Sequence, residues 1–332
     1  MKQILFCLLL MLPGSTPAQK FWLTTYEFPG GPKTGIAALG DSLLFAGLTD
    51  GVLRSNNEGD NWQQILWASQ IVSIHATPDG TILAGGIGKT FISNDFGDTW
   101  DSVSLGHDYL VLRFARLPNG HLFAITSGTD PNLGYVGAGV YCSVDQGLSW
   151  EQRNNGLNNY LSADQIAADA DGRLYLTVRN ELSNGEGGFF YSDNEGLWWQ
   201  QMDIKIDGEN VIENDILIHV TTGLSVTHQD SLYLCLDGVA GSSYVRLNLS
   251  KHLSDVDEPS QWNVMKAWNG ATWWLDRPLN LVHVAQNGDA YSSVGGTVGF
   301  GGTFFRKAGA NDWNRHLEGL GLTIFDDLGA QH

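Results

Sequence analysis

Ser93-Asn94-Asp95-Phe96-Gly97-Asp98-Thr99-Trp100 decides the fold, because it is one of four copies of a single pattern. The others are Ser55-Asn56-Asn57-Glu58-Gly59-Asp60-Asn61-Trp62, Ser143-Val144-Asp145-Gln146-Gly147-Leu148-Ser149-Trp150 and Ser192-Asp193-Asn194-Glu195-Gly196-Leu197-Trp198-Trp199. Their serines stand 38, 50 and 49 residues apart. An Asx side chain can accept bonds from backbone amides two residues on, and the glycine tolerates positive φ. The serine hydroxyl can close a second local bond. The tryptophan carries a large apolar surface into the strand that follows. Asparagine can do most of what aspartate does in such a turn, so Asn57 and Asn194 fit beside Asp95 and Asp145.

The flanks repeat as well. Thr81–Gly85 leads to Thr90–Ser93, His121–Ile125 leads to Gly139–Ser143, and Arg173–Thr177 leads to Gly188–Ser192. Upstream of each lies an Asx-Gly pair at Asp79-Gly80, Asn119-Gly120 or Asp171-Gly172, a hairpin signal. Each repeat therefore reads as four short antiparallel strands, a to d. Strand a precedes the Asx-Gly turn, b follows it, c ends at the octad and d begins at its tryptophan. Four strands recurring every 40 to 50 residues are the signature of an all-β propeller blade.

Gly35–Leu39, Leu43–Gly47, Val52–Ser55 and Trp62–Leu66 supply the first blade. Weaker repeats follow the fourth. Leu232–Leu236, Tyr244–Leu249 and Trp262–Lys266 fit strands b, c and d of a fifth. Leu281–Ala285, Asp289–Ser293, Thr303–Arg306 and Trp313–His316 fit a sixth. The tail Leu322–Gly329 resembles strand a of a partial seventh, and Phe21–Phe28 can supply an outer strand. The ring then closes by mixing its termini, or the chain is a piece of a longer protein.

Composition agrees with this plan. Of 332 residues, 41 are Gly and 12 are Trp. The tryptophans at 62, 100, 150, 199, 262 and 313 each begin a strand d, which makes them core. Asp and Glu number 36 against 18 Lys and Arg, for a net charge of −18. That balance argues against nucleic acid as a partner, since phosphate binding needs clustered cations, and against anionic membranes.

Lys2, the apolar run Ile4–Leu12 and Thr16-Pro17-Ala18 read as a signal peptide spanning residues 1–18, cleaved near Ala18-Gln19. Its apolar run is too short for a membrane span. The expectation is a secreted or periplasmic chain with one propeller domain over residues 19–332 and no membrane insertion. Cys142 and Cys235 sit in apolar strand-like runs, so buried free thiols are expected rather than a disulfide.

The octad resembles the Asp-box, or BNR repeat, found in sialidases, xyloglucan-cleaving glycosidases, the sortilin ectodomain and propeller-type photosystem II assembly factors. The resemblance is good over Gly35–Met202 and loose beyond. Ser93, Asp95, Gly97 and Trp100 match every consensus position. It implies that the box lies on the c–d hairpin at the propeller rim. Ser55, Asn57, Gly59, Trp62, Ser143, Asp145, Gly147, Trp150, Ser192, Asn194, Gly196 and Trp199 are then structural. Active sialidases carry an Arg-Ile-Pro motif near the start of the domain. Here the first arginine is Arg54, on a strand c, and the only Arg-Pro pair is Arg277-Pro278.

No zinc-protease, EF-hand, P-loop or nucleophile-elbow motif appears, and no cofactor or metal is expected. His75 and His283 each fall five residues before a turn glycine and can share one ring-facing layer. In propellers the d–a and b–c links share the face where ligands usually bind. Two b–c links look long, Ser127–Ala138 and Arg179–Gly187. Candidate ligand residues on this face are Tyr109, Arg113, Tyr135, Arg179, Glu181, Trp273, Trp274, Asp276 and Arg277, because aromatics beside polar groups suit a glycan or protein ligand. The expected function is a binding or scaffold propeller without catalysis. The alternative is a carbohydrate-active hydrolase or lyase pairing Asp276 with Glu181 or Asp108. An assembly factor with a basic patch fits poorly with the charge.

Overall fold

The computed structural model describes residues 33–39, 42–131, 134–158, 160–179, 188–202, 216–226, 231–240, 243–252, 262–264, 280–284, 290–294, 302–307 and 314–316. The signal segment, Phe21–Phe28 and Leu322–Gly329 lie outside these residues. The described chain forms six four-stranded antiparallel sheets, each running up and down in chain order. The first contains β1 (Lys33–Leu39), β2 (Leu43–Leu48), β3 (Gly51–Ser55) and β4 (Gln63–Trp67). The second contains β5 (Ser73–Ala76), β6 (Ile82–Gly85), β7 (Lys89–Ser93) and β8 (Asp101–Ser104). The third contains β9 (Leu110–Arg116), β10 (Leu122–Asp130), β11 (Gly134–Ser143) and β12 (Glu151–Gln152). The fourth contains β13 (Ala163–Ala168), β14 (Leu174–Val178), β15 (Gly188–Ser192) and β16 (Gln200–Met202). The fifth contains β17 (Ile216–Val226), β18 (Ser231–Ala240), β19 (Ser243–His252) and β20 (Asn263–Val264). The sixth contains β21 (Asn280–Val284), β22 (Ala290–Val294), β23 (Gly302–Arg306) and β24 (Asn314–His316).

The first strands of successive sheets, β1, β5, β9, β13, β17 and β21, adjoin in that order. Each sheet is thus a propeller blade with strand a innermost. Burial follows. β14 is buried at all five positions because a second strand is covered on both faces, whereas outermost β8 is exposed at three of four. The core lies between blades. One cluster joins Leu83 and Ile92 of the second blade to Val111, Phe114 and Tyr141 of the third. Another joins Phe123, Ile125 and Val140 of the third to Leu174, Phe190 and Trp199 of the fourth.

All four octads adopt one geometry. The serine Oγ donates to the Asx Oδ1 at 2.7–2.9 Å and accepts the glycine N–H at 2.7–2.9 Å. The Asx Oδ1 accepts the amide of the seventh residue at 2.8–2.9 Å. The fourth residue (Glu58, Phe96, Gln146 or Glu195) sits in the left-handed region at φ 58–61°. The two aspartate octads add one bond each. Thr99 and Ser149 donate their hydroxyls to the second oxygen of Asp95 and Asp145, both at 2.6 Å. The asparagine octads carry Asn61 and Trp198 there, which have no hydroxyl. Those bonds hold Asp95 at about 2, led by the Thr99 hydroxyl. Burial pulls Asp145 upward, but the bonds from Ser149 and Ser143 outweigh it and leave it below the usual range.

The octads also join neighbouring blades. A Cβ on Gly97 would approach Ile65 Cδ1 of the preceding blade to 2.4 Å, and one on Gly147 would approach Ile92 Cδ1 to 2.4 Å. Both glycines also hold positive φ, at 91° and 88°, which a side chain would strain. Trp199 Nε1 donates to Arg153 O across the third and fourth blades at 2.7 Å. The fifth blade lacks an octad but keeps its tryptophan. Trp262 meets Phe189 of the fourth blade edge-on, with centroids 5.6 Å apart. Lys251 pairs with Leu232 as Ser192 pairs with Leu174, so a lysine occupies the octad serine's register. It is 1% exposed, with Nζ 5.5 Å from the Trp262 ring.

The anticipated strands match closely in the first, second, fourth and sixth blades, while in the third β10 runs on to Asp130 and β11 begins at Gly134, inside the expected link. Strand β17 was not anticipated, and Trp313 lies outside the described residues. Cys142 and Cys235 are buried free thiols, pushed up to about 11 and about 12 by burial.

Candidate functional site

The b–c link of the third blade is not a loop. β10 and β11 stay paired out to Thr129↔Tyr135 and Asp130↔Gly134, while β9 stops at Ser127↔Leu110 and β12 covers only Tyr141 and Cys142. The result is a hairpin arm standing off the link face. Its side chain Tyr135 is 38% exposed.

The arm is clasped by the fourth blade. The Arg179 guanidinium lies over the Tyr135 ring, 4.4 Å from its centroid. Arg179 Nε–H donates to the Asp164 carboxylate, whose side chain is 2% exposed. Asp164 is the residue skipped by a register shift between Ala163 and Gln165, a bulge that re-aims it. Ser127 and Ser162 share a hydroxyl bond of 2.7 Å beneath. Arg179, expected to face a ligand, is therefore engaged with the protein on two sides.

Arg113 and Gln165 occupy equivalent positions on neighbouring inner strands, each the first pair beyond a register shift. Arg113 Nε donates to Gln165 Oε1 at 3.3 Å. Tyr109 packs beside the arm, where a Cβ on Gly128 would come within 3.2 Å of its ring. Its ring centroid lies 5.2 Å from that of His107. Burial lowers His107, against a smaller upward pull from Asp108. Tyr109, Arg113, Tyr135 and Arg179 thus gather on the link face of the third and fourth blades. Glu181, Trp273, Trp274, Asp276 and Arg277 lie outside the described residues. Sequence reading missed Trp67, which ends β4 on the same face at 76% exposure opposite a glycine, Gly51.

A cavity of about 540 Å³ opens at the other end of the inner strands, where they run into the a–b turns. His75, Arg116 and Asp169 line it with Phe114, Ile166 and Pro118. Burial first, and the Arg116 charge second, lower His75 to about 4, so its ring is neutral near pH 7. His283 holds the same register in the sixth blade, opposite Tyr291 as His75 is opposite Leu83. Its side chain lies outside the described residues. Among the described residues no group of three or more His, Cys, Asp or Glu is placed to hold a metal.

The solved structures most like this chain are propellers. The GH74 xyloglucanase of Xanthomonas campestris superposes with a TM-score of 0.64 at 15% identity, covering 87% of this chain and 46% of that one. YCF48 bound to D1 peptide gives 0.53 at 16%, covering 84% and 79%. The extracellular domain of BT4673 from B. thetaiotaomicron gives 0.57 at 12%, covering 86% and 33%. The chain spans about half the length of the xyloglucanase and a third of BT4673. At these identities the likeness establishes the β-propeller fold and nothing finer. No family model matches the sequence, and no curated protein matches it.

Proposed function

We propose that this is an exported, non-catalytic propeller of the Asp-box type that binds a glycan or protein ligand on its link face. The observation that carries the reading is the β10–β11 arm, which presents Tyr135 on a clasped, hydrogen-bonded hairpin. Binding residues concentrate where a rigid scaffold holds projecting links. An exposed aromatic with limited rotamer freedom suits recognition of sugar faces or peptide side chains. A protein ligand is consistent with the peptide-bound YCF48 neighbour, and a glycan with the xyloglucanase neighbour. Export follows from the signal segment, and N-terminal sequencing of the exported protein should begin at Gln19.

The test is capture of glycans and extended peptides on arrays by the mature protein, alongside Tyr135→Ala and Trp273→Ala. The reading expects capture that Tyr135→Ala abolishes without unfolding the protein. Absence of capture on every glycan would remove carbohydrate as the ligand class. The hydrolase alternative rests on Asp276 with Glu181 or Asp108. Release of reducing ends from a captured glycan, lost in Glu181→Gln or Asp276→Asn, would establish it instead.

A further inference from the structure

The geometry points to a second binding site in the cavity at the a–b-turn end of the inner strands, taking a neutral, hydroxyl-bearing small molecule. Its volume of about 540 Å³ falls inside the roughly 300–1,000 Å³ of small-molecule sites. The room exists because of small residues. Ala115 and Ala167 stand where the second blade has His75, and Ala76 and Ala168 stand where the third has Arg116. His75 and Arg116 thus stand in two successive registers beside alanines of the neighbouring blades, and both border the empty volume.

The two charged side chains that line the cavity are already hydrogen-bonded. Arg116 gives one guanidinium N–H to Asp79 at 2.9 Å. Asp169 accepts the Tyr175 hydroxyl at 2.9 Å and the amides of Asp171 and Arg173 at 3.0 and 2.8 Å. The capacity left over is hydrogen bonding. His75 makes no hydrogen bond within the described residues, and its neutral ring offers one donor and one acceptor. Arg116 keeps further N–H donors. Phe114, Ile166 and Pro118 supply apolar wall. Donors and an acceptor beside apolar wall fit the hydroxyls and C–H faces of a sugar or polyol.

The experiment uses the mature protein and saturation-transfer NMR with xylose, glucose and maltose as probes, and glucuronate and glucosamine as charged controls. The neutral probes should bind and shift the His75 ring Hε1 resonance in the wild-type protein. Ala167→Leu, which fills the cavity, and His75→Phe, which removes both ring nitrogens, should each weaken binding at least tenfold. Leu148→Ala, at an exposed octad position outside both sites, should leave it unchanged. The proposal is overturned if no neutral probe receives saturation, if the charged controls bind better, or if Ala167→Leu binds as the wild type does.

Discussion

The octad rim and the link face belong to the same blades, yet they behave oppositely. On the rim the same serine, Asx and glycine bonds recur four times within about 0.2 Å. Among the described residues of the link face the first, third and fourth blades differ. The third carries an arm, the fourth a buried Asp164–Arg179 pair and the first an exposed Trp67. In the four blades that carry it, the repeated octad helps each blade pack on its neighbour. Departure from repetition marks where the molecule does something particular. The cavity is bordered by a like departure, since His75 and Arg116 stand where the neighbouring third or fourth blade has alanine.

The largest test of that contrast sets two adjacent tryptophans against each other. Trp199 is 1% exposed, packs between blades and donates to Arg153 O, whereas Trp198 is 55% exposed. Urea unfolding should show Trp199→Ala losing about 3–5 kcal/mol and Trp198→Ala within about 0.5 kcal/mol of wild type. Equal losses would mean that the octad register has been misassigned.

Next in size, Arg179→Met should cost about 3 kcal/mol, because it strips a charged partner from the buried Asp164. This sharpens the comparison by showing that part of the link face is scaffold. A change below 0.5 kcal/mol would return Arg179 to the ligand.

Stability should also fall with acid in two steps. His75 drops from 6.5 unfolded to about 4 folded, so between those values the unfolded chain binds the extra proton. Its contribution is present above pH 6.5 and lost as pH falls toward 4, a difference of roughly 3 kcal/mol at 1.36 kcal/mol per unit. Asp95, lowered from 3.8 to about 2, adds a loss between those two values. Urea midpoints from pH 7 to 3 should show the upper step, and His75→Gln should remove it.

How much of this was legible depended on range. The octad and its strands could be read because Asx, Ser and Gly act within five residues of one another. The bonds from Thr99 to Asp95 and from Ser149 to Asp145 emerge only from the structure. β17 escaped because no Asx-Gly pair follows it. The arm was taken for a loop because Gly128, Gly134, Gly137 and Gly139 look like breakers. The cavity could not be foreseen, since its walls come from strand ends of several blades and its alanines read as ordinary core.

The central claim is that the octad carboxylates serve the fold and the link face serves the ligand. It is tested most directly by measuring array capture and urea stability together for Asp95→Asn/Asp145→Asn and for Tyr135→Ala. The aspartate pair should lose a little stability, from the two exposed hydroxyl bonds, and capture all that the wild type does. Tyr135→Ala should keep its stability and lose capture. Loss of capture or turnover in the aspartate pair at unchanged stability would contradict it.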